Sequence, residues 1–199
     1  MFKIVSKQKI APKEFDIWVE AARIAKHAKA GQFVVLRVDD HGERIPLTIA
    51  DYDKEKGLIR LIFQVVGKTT AAMSCLNVGD CIKDISGPLG TPSEVEKYGT
   101  VLMIGGGGGI AEIMRLSGLG VDLEMAGNKV ITILGGRTSE LVIMKEECAE
   151  YSDELIITTD DGSEGMKGVV TEAMKMVVER GEKIDRCWCI GPSIMMKFG

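Results

Sequence analysis

Apolar residues fall in short, β-branched-rich runs along the first half of the chain, and in unbroken blocks alternating with amphipathic stretches along the second. Phe2–Ile10, Asp16–Ala21, Gln32–Val38, Leu58–Val66 and Asp80–Ile85 are bounded by turn residues, which predicts strands. Asp39-Asp40-His41-Gly42 is the clearest of the turns. Only Thr69–Leu76 carries a short helical pattern in this half. Many short strands at this spacing predict a small sandwich or barrel.

Beyond Tyr98-Gly99 the rhythm changes. Val101–Ile104, Lys129–Leu134, Glu154–Thr159 and Arg186–Ile190 read as strands, and Glu140–Tyr151 and Val169–Arg180 as helices. Strand–helix alternation with short links predicts a parallel sheet covered on both faces. The chain is therefore expected to form two domains. An antiparallel β-barrel over 1–95 precedes an α/β parallel-sheet nucleotide-binding domain over 96–199, with Gly87-Pro88-Leu89-Gly90-Thr91-Pro92 as the hinge.

Composition narrows the function classes. With 199 residues, 45% hydrophobic and 27% charged, the chain is ordinary for a globular protein. A net charge of −4 gives no basic footprint for nucleic acid. No apolar run approaches the roughly 20 residues of a bilayer span, and Met1-Phe2-Lys3-Ile4-Val5 has no signal-peptide character. Five cysteines without a framework spacing point to a reducing, cytoplasmic setting and to no metal site. His27 and His41 are expected at the surface.

Glycines gather where a ligand can approach backbone. Gly105-Gly106-Gly107-Gly108-Gly109-Ile110-Ala111 follows a strand, and Gly106-x-Gly108-x-x-Ala111 satisfies the dinucleotide fingerprint. Backbone N–H groups from Gly106 to Ile110, with the helix start behind them, suit a pyrophosphate. The alternative is a flexible strand-to-helix turn. Arg137, followed by Thr138-Ser139, is a candidate for a 2′-phosphate, which favours NADP; the alternative is a solvated arginine. Asp160-Asp161-Gly162-Ser163 suits ribose hydroxyls, and Gly191-Pro192-Ser193-Ile194-Met195-Met196 is a rigid turn entering a helix. Three such loops after parallel strands make a cleft. In the strand half, Arg44-Ile45-Pro46-Leu47-Thr48 and Gln64-Val65-Val66-Gly67-Lys68-Thr69-Thr70 form a second candidate anion site. A surface charge and ordinary helix capping are the alternatives there.

Read in order, these segments resemble the ferredoxin–NADP reductase superfamily over nearly the whole chain. Ala30-Gly31-Gln32-Phe33, Arg44 to Thr48, Gly67 to Thr70, Gly87-Pro88-Leu89-Gly90, the glycine loop, Asp160 to Ser163 and Gly191-Pro192-x-x-Met195 carry the resemblance. Within the superfamily the chain is most similar to small electron-transfer subunits. These are of the NADH-dependent reduced ferredoxin:NADP oxidoreductase (or sulfide dehydrogenase) type and of the related dihydroorotate dehydrogenase type. The resemblance implies a six-stranded barrel binding FAD and a parallel-sheet domain binding NAD(P)H. It also implies that Thr48 faces the flavin near its reactive nitrogen and that Leu47 packs on the ring or ribityl chain. Arg44, Pro46, Gln64, Val65, Gly67, Lys68, Thr69 and Thr70 complete the flavin set. Gly106, Gly107, Gly108, Gly109, Ile110, Arg137, Asp160, Asp161, Gly191 and Pro192 form the nucleotide set.

The departures from the family pattern are specific. Arg44 stands one residue further from the hydroxyl than in Arg-x-Tyr-Ser, and Leu47 replaces the tyrosine. Ile190 stands where relatives carry a cysteine before Gly-Pro, and Cys189 alternates to the opposite strand face. Glu112 replaces a common proline, and Gly118 and Gly120 interrupt the expected helix at about 1 kcal/mol each. Such subunits continue into a cysteine-rich segment holding a [2Fe–2S] cluster, for which this chain has no ligands; Cys187-x-Cys189 reads as core sulfur. A truncated chain and a cluster-free variant both fit.

The implied chemistry is hydride transfer between NAD(P)H and FAD, with electrons passed to an iron–sulfur centre, a larger catalytic flavoprotein subunit or ferredoxin. A dihydroorotate dehydrogenase electron-transfer subunit is the nearest alternative. A non-catalytic nucleotide-binding or assembly module is the alternative of a different class.

Overall fold

The computed structural model describes residues 1–107, 110 and 119–198. They divide into two compact units, Met1–Ser93 and Glu94–Gly199.

The first unit is an antiparallel sheet of seven strands. These are β1 (Phe2–Ala11), β2 (Glu14–Glu20), β3 (Phe33–Arg37), β4 (Ile45–Asp53), β5 (Leu58–Gln64), β6 (Cys81–Ile82) and β7 (Asp84–Leu89), in the order β6-β1-β2-β5-β4-β3-β7. The outermost strands, β6 and β7, are separated in the chain by Lys83 alone. The two sheet edges therefore meet in one chain segment, and the sheet is a nearly closed barrel, six-stranded when β6 and β7 are counted as one strand interrupted at Lys83. Alternation points Ile17, Val19, Val34, Leu36, Ile49, Ile59, Leu61 and Phe63 inward, where they are buried. Two helices close the barrel: α1 (Ala22–His27), which adds Ile24 and Ala25 to the core, and α2 (Lys68–Cys75), which adds Met73.

Some elements differ from the sequence reading. β4 and α1 are absent from it, because Pro46 and the small residues Ala21, Ala22, Ala25 and Ala28 obscure both periodicities. The first half of the glycine–proline segment read as a hinge, Gly87-Pro88-Leu89, is barrel strand, and Gly90-Thr91-Pro92 follows it outside the strand. Gly87 lies in β7 with a Cβ position 2.8 Å from Val34 Cγ1, Gln32 Nε2 donates to Gly90 O at 3.0 Å, and Ser93 N donates to Ala30 O at 2.8 Å.

The second unit holds a parallel sheet of β8 (Thr100–Gly106), β9 (Lys129–Gly136), β10 (Glu154–Thr159), β11 (Met166–Lys167) and β12 (Arg186–Ile190), ordered β11-β10-β9-β8-β12. β8 and β9 are buried along almost their whole length, as strands covered on both faces must be. Among the described residues its longer helices are α3 (Leu119–Met125), α4 (Lys145–Glu150), α5 (Val170–Glu179) and α6 (Ser193–Phe198). Val170, Ala173 and Val177 of α5 pack on Leu102, Ile104, Ile131 and Ile133.

Gly120, read as an interruption, lies within α3, whereas Gly118 and Glu112 fall outside the described residues. The helix expected over Glu140–Tyr151 is broken into a 3-10 turn at Ser139–Leu141 and α4, with Met144 left-handed at φ 58° between them. Val142 and Ile143 at the break are buried, so packing overrides local helix propensity there. Asn128 ties the unit's beginning together. Its Oδ1 accepts from Tyr98 N (2.6 Å) and Gly99 N (3.0 Å), and its Nδ2 donates to Glu96 O and Leu123 O, both at 2.8 Å.

Candidate functional site

In the barrel, strand alternation splits the Arg44–Thr48 segment between two faces. Leu47 pairs with Val34 and packs on the barrel core, so the outer face presents Pro46 and Thr48, the latter opposite Phe33. Arg44 is half-exposed and its guanidinium is paired with Asp84 at 2.5 Å. An anion approaching Arg44 must share it with that carboxylate.

The Gln64–Thr70 stretch turns from β5 into α2. Val65 N donates to Lys13 O at 2.8 Å, fixing the loop to the tip of the β1–β2 hairpin. Thr70 Oγ1 accepts from Val66 N (3.0 Å) and Gly67 N (3.1 Å) and donates to Gly67 O (3.1 Å). Its hydroxyl is thus an internal brace of the loop, with Thr69 and Thr70 both buried. Gly67 is different: no atom lies within 4 Å of the position its Cβ would take. That open corner adjoins the exposed Lys68 at the positive end of α2. The other end of α2 is neutralised by Lys7, whose Nζ donates to Ser74 O (2.6 Å) and to Leu76 O. Backbone access, a cation and a helix N-terminus fit a phosphate-bearing group here.

Parallel pairing brings the nucleotide candidates of the second unit to one edge of its sheet. β8 ends at Gly106 beside Gly135, β9 ends at Gly136 beside Thr159, and β12 ends at Ile190 beside Gly105. Strand order reverses at β8, which has β9 on one side and β12 on the other, and ligands of such sheets bind at that switch point. The glycines there have separate reasons. A Cβ on Gly106 would lie 2.5 Å from Met195 Sδ, and one on Gly191 would lie 2.5 Å from Met195 Cε. Both leave room for Met195, which the motif contained but its glycine reading passed over. Gly107 has φ +54° and nothing within 4 Å of its Cβ position, so it is the described glycine that opens backbone to a ligand. Ile110 is buried; Gly108 and Gly109 lie outside the described residues.

The β9 and β10 loops are braced together. Ser163 Oγ accepts from Ser139 N at 2.8 Å and donates to Asp161 Oδ1 at 2.6 Å, and Ser163 N donates to the same oxygen at 2.9 Å. These bonds hold the Asp161 carboxyl below the usual carboxylate range. Asp160 N donates to Gly136 O, and Asp161 N to Arg137 O, so two exposed acidic residues stand beside the exposed Arg137. Pro192 is exposed on the neighbouring loop.

Four buried ionisable groups on the barrel's outer face, Glu14, Asp16, Asp51 and Arg60, went unread in the sequence, and Asp51 stands opposite Arg60 in the β4–β5 ladder. Asp16 and Arg60 form a buried pair, with Arg60 Nε and Nη2 donating to Asp16 Oδ2 at 2.9 and 2.7 Å. Glu14 is buried beside Gln64, and burial pushes its carboxyl above the usual range. Ala11-Pro12-Lys13-Glu14 reads as a polar turn, and no sequence signal marks it as interior. Cys187, expected in the core, is exposed; Cys189 is partly buried against the α5 cluster, and burial raises its thiol. Among the described residues no cluster of histidine, cysteine or acidic side chains can hold a metal ion, and no helix is long and apolar enough to cross a membrane. His27 and His41 are exposed.

No protein-family model matches the chain. It is 52% identical over 196 residues to a Thermotoga maritima protein named dihydroorotate dehydrogenase B (NAD(+)), electron transfer subunit homolog, covering 98% of this chain and 68% of that protein. A chain in the solved structure of NADH-dependent reduced ferredoxin-NADP oxidoreductase, described for flavin-based electron bifurcation, superposes with a TM-score of 0.92 at 50% identity. That match covers 100% of this chain and 70% of the other. The ferredoxin NADP+ reductase of Neisseria gonorrhoeae, solved with FAD and NADP, shares the fold at a TM-score of 0.76 and 17% identity, over 99% of this chain and 87% of that one.

Proposed function

Because the chain belongs to the family of dihydroorotate dehydrogenase B electron-transfer subunits and their homologues, we propose that it is the flavin- and nicotinamide-nucleotide-binding subunit of an electron-transfer oxidoreductase. FAD bound to the barrel supplies a hydride acceptor that can also release single electrons. The chain's own work is binding and orientation. Gly67, Lys68 and the α2 N-terminus hold the pyrophosphate, Gln64 and Val65 line the ribityl chain, and Pro46 and Thr48 present the outer β4 face to the ring, with Thr48 nearest the reactive nitrogen. In the parallel-sheet unit, Gly107 and the loops after β9, β10 and β12 hold the nicotinamide nucleotide. Hydride transfer requires no side-chain acid or base, only ring stacking at about 3–3.5 Å with water excluded.

What carries the reading is that two open glycines stand at anion-binding positions, Gly67 beside a helix N-terminus and Gly107 at the sheet's switch point. Arg137 alone favours a 2′-phosphate, but Asp160 and Asp161 beside it oppose one, so NADH is the expected donor. Electrons then pass to a partner, a larger catalytic flavoprotein or iron–sulfur subunit or a ferredoxin, in the cytoplasm. The test is an anaerobic titration of purified protein. We expect a yellow FAD spectrum, bleached by NADH at lower concentration than by NADPH. Bound FAD that neither nucleotide bleaches favours a non-catalytic module, and protein that cannot be reconstituted with FAD overturns the reading.

A further inference from the structure

The start of β2 carries a group that the proposed chemistry does not use. Glu14 is 3% exposed and pairs with Gln64 across the β2–β5 ladder. Gln64 Nε2 donates to Glu14 Oε1 at 3.4 Å, while Oε2 is buried and has no hydrogen-bond partner among the described residues. A buried oxygen left unpaired opposes folding, so the fold gains nothing from Glu14 that an apolar side chain would not supply. Its neighbour is where the group has an effect. Gln64 is exposed at the end of β5, next to Val65, whose N–H is fixed on Lys13 O, and three residues before the open Gly67 corner. A glutamine amide has a donor end and an acceptor end that exchange on rotation. Tying the NH₂ to Glu14 turns the carbonyl outward. The platform behind it is stiff: Phe15 and Phe63, the next pair along the ladder, stack at 5.7 Å.

We propose that Glu14 is a positioning residue for the polyol portion of the flavin, holding the Gln64 amide nitrogen so that its carbonyl faces the ligand's hydroxyls. The proposal rests on the flavin reading of this corner. Its test uses the whole chain and four variants, Glu14→Met, Glu14→Gln, Gln64→Ala and the double Glu14→Met/Gln64→Ala. FAD affinity is read by flavin fluorescence, the bound flavin by its visible spectrum, and the FAD-free proteins by their thermal midpoints. Glu14→Met, which keeps length but cannot accept the amide, should weaken FAD binding about five- to tenfold and shift the visible band. Its FAD-free midpoint should be unchanged or higher. Glu14→Gln keeps a carbonyl acceptor and should restore affinity to within about twofold of the original. The double variant should bind no more weakly than Gln64→Ala.

The positioning role is overturned by wild-type affinity in Glu14→Met, by a loss that persists once Gln64 is absent, or by a lowered midpoint in the FAD-free protein. A silent Gln64→Ala in a chain that binds FAD overturns it too, and leaves the flavin reading standing. Failure of the unsubstituted chain to bind FAD overturns the flavin reading itself.

Discussion

Thr70 offers a sharp test of how the flavin corner is built, because its hydroxyl is wholly committed to the loop. It is 7% exposed, accepts from Val66 N and Gly67 N at 3.0 and 3.1 Å, and donates to Gly67 O at 3.1 Å. Thr70→Val keeps the shape and deletes all three bonds. Each is worth about 1 kcal/mol net, but Val66 is 78% exposed and Gly67 is exposed, so water can recover part of the loss. The remaining cost is about 1–2 kcal/mol, the range found for lost helix caps. In a chain of this length that lowers the thermal midpoint by about 3–6 °C. Amide hydrogen exchange in FAD-free protein reads the loop directly. Val66 and Gly67 should lose protection in Thr70→Val and keep it in Thr70→Ser. FAD affinity should fall about five- to tenfold in the first and stay within about twofold in the second. Unchanged protection of both amides, with stability within about 0.3 kcal/mol of the parent, would refute the brace.

Other sites give independent checks. Gly106→Ala must evict Met195 and should destabilise by about 1–3 kcal/mol; adding Met195→Ala should recover part of it, a coupling that a urea double-mutant cycle measures. Asp16→Ala removes one acceptor of the buried Arg60 guanidinium, which still has the buried Asp51 opposite it in the ladder, and should cost about 1–3 kcal/mol, read from the urea midpoint. The depressed Asp161 pKa means that its stabilising contribution is present above its unfolded value of 3.8 and lost as pH falls through the folded one. Ser163→Ala should therefore flatten the acid limb of stability below about pH 4, and an unchanged limb would dissociate Ser163 from it.

The barrel and the parallel sheet were legible because their strands carry unambiguous periods. Val101–Ile104 and Lys129–Leu134 are apolar without interruption, which suits strands covered on both faces, and they fall inside β8 and β9. What escaped was set by tertiary context. Pro46 demotes its segment as a strand, yet β4 is tolerant of proline there, because it pairs with β3 alone at Pro46 and with β5 only from Ile49 onward. Gly87-Pro88 has the composition of a hinge and is held as strand by its fit over Val34. Glu14 and Asp16 are polar letters in a short strand, and nothing local distinguishes a solvated outer face from a covered one.

The glycine run shows most clearly where a motif stops short of a mechanism. A fingerprint treats its glycines as equivalent, each admitting a phosphate to backbone. Here their causes separate. Gly106 and Gly191 are small so that one thioether can seat between two loops, and Gly135 is small because Val170 of α5 occupies its Cβ position at 2.3 Å. Those requirements are met by the protein alone and would persist in a module that binds nothing. Gly107 is left-handed and Gly67 stands at a helix start, and among the described residues no atom lies within 4 Å of either Cβ position. Packing therefore accounts for Gly106, Gly135 and Gly191, and turn geometry accounts for the open left-handed Gly79 and Gly181; binding has to be argued from Gly67 and Gly107, whose openness falls at a helix start and at the sheet's switch point.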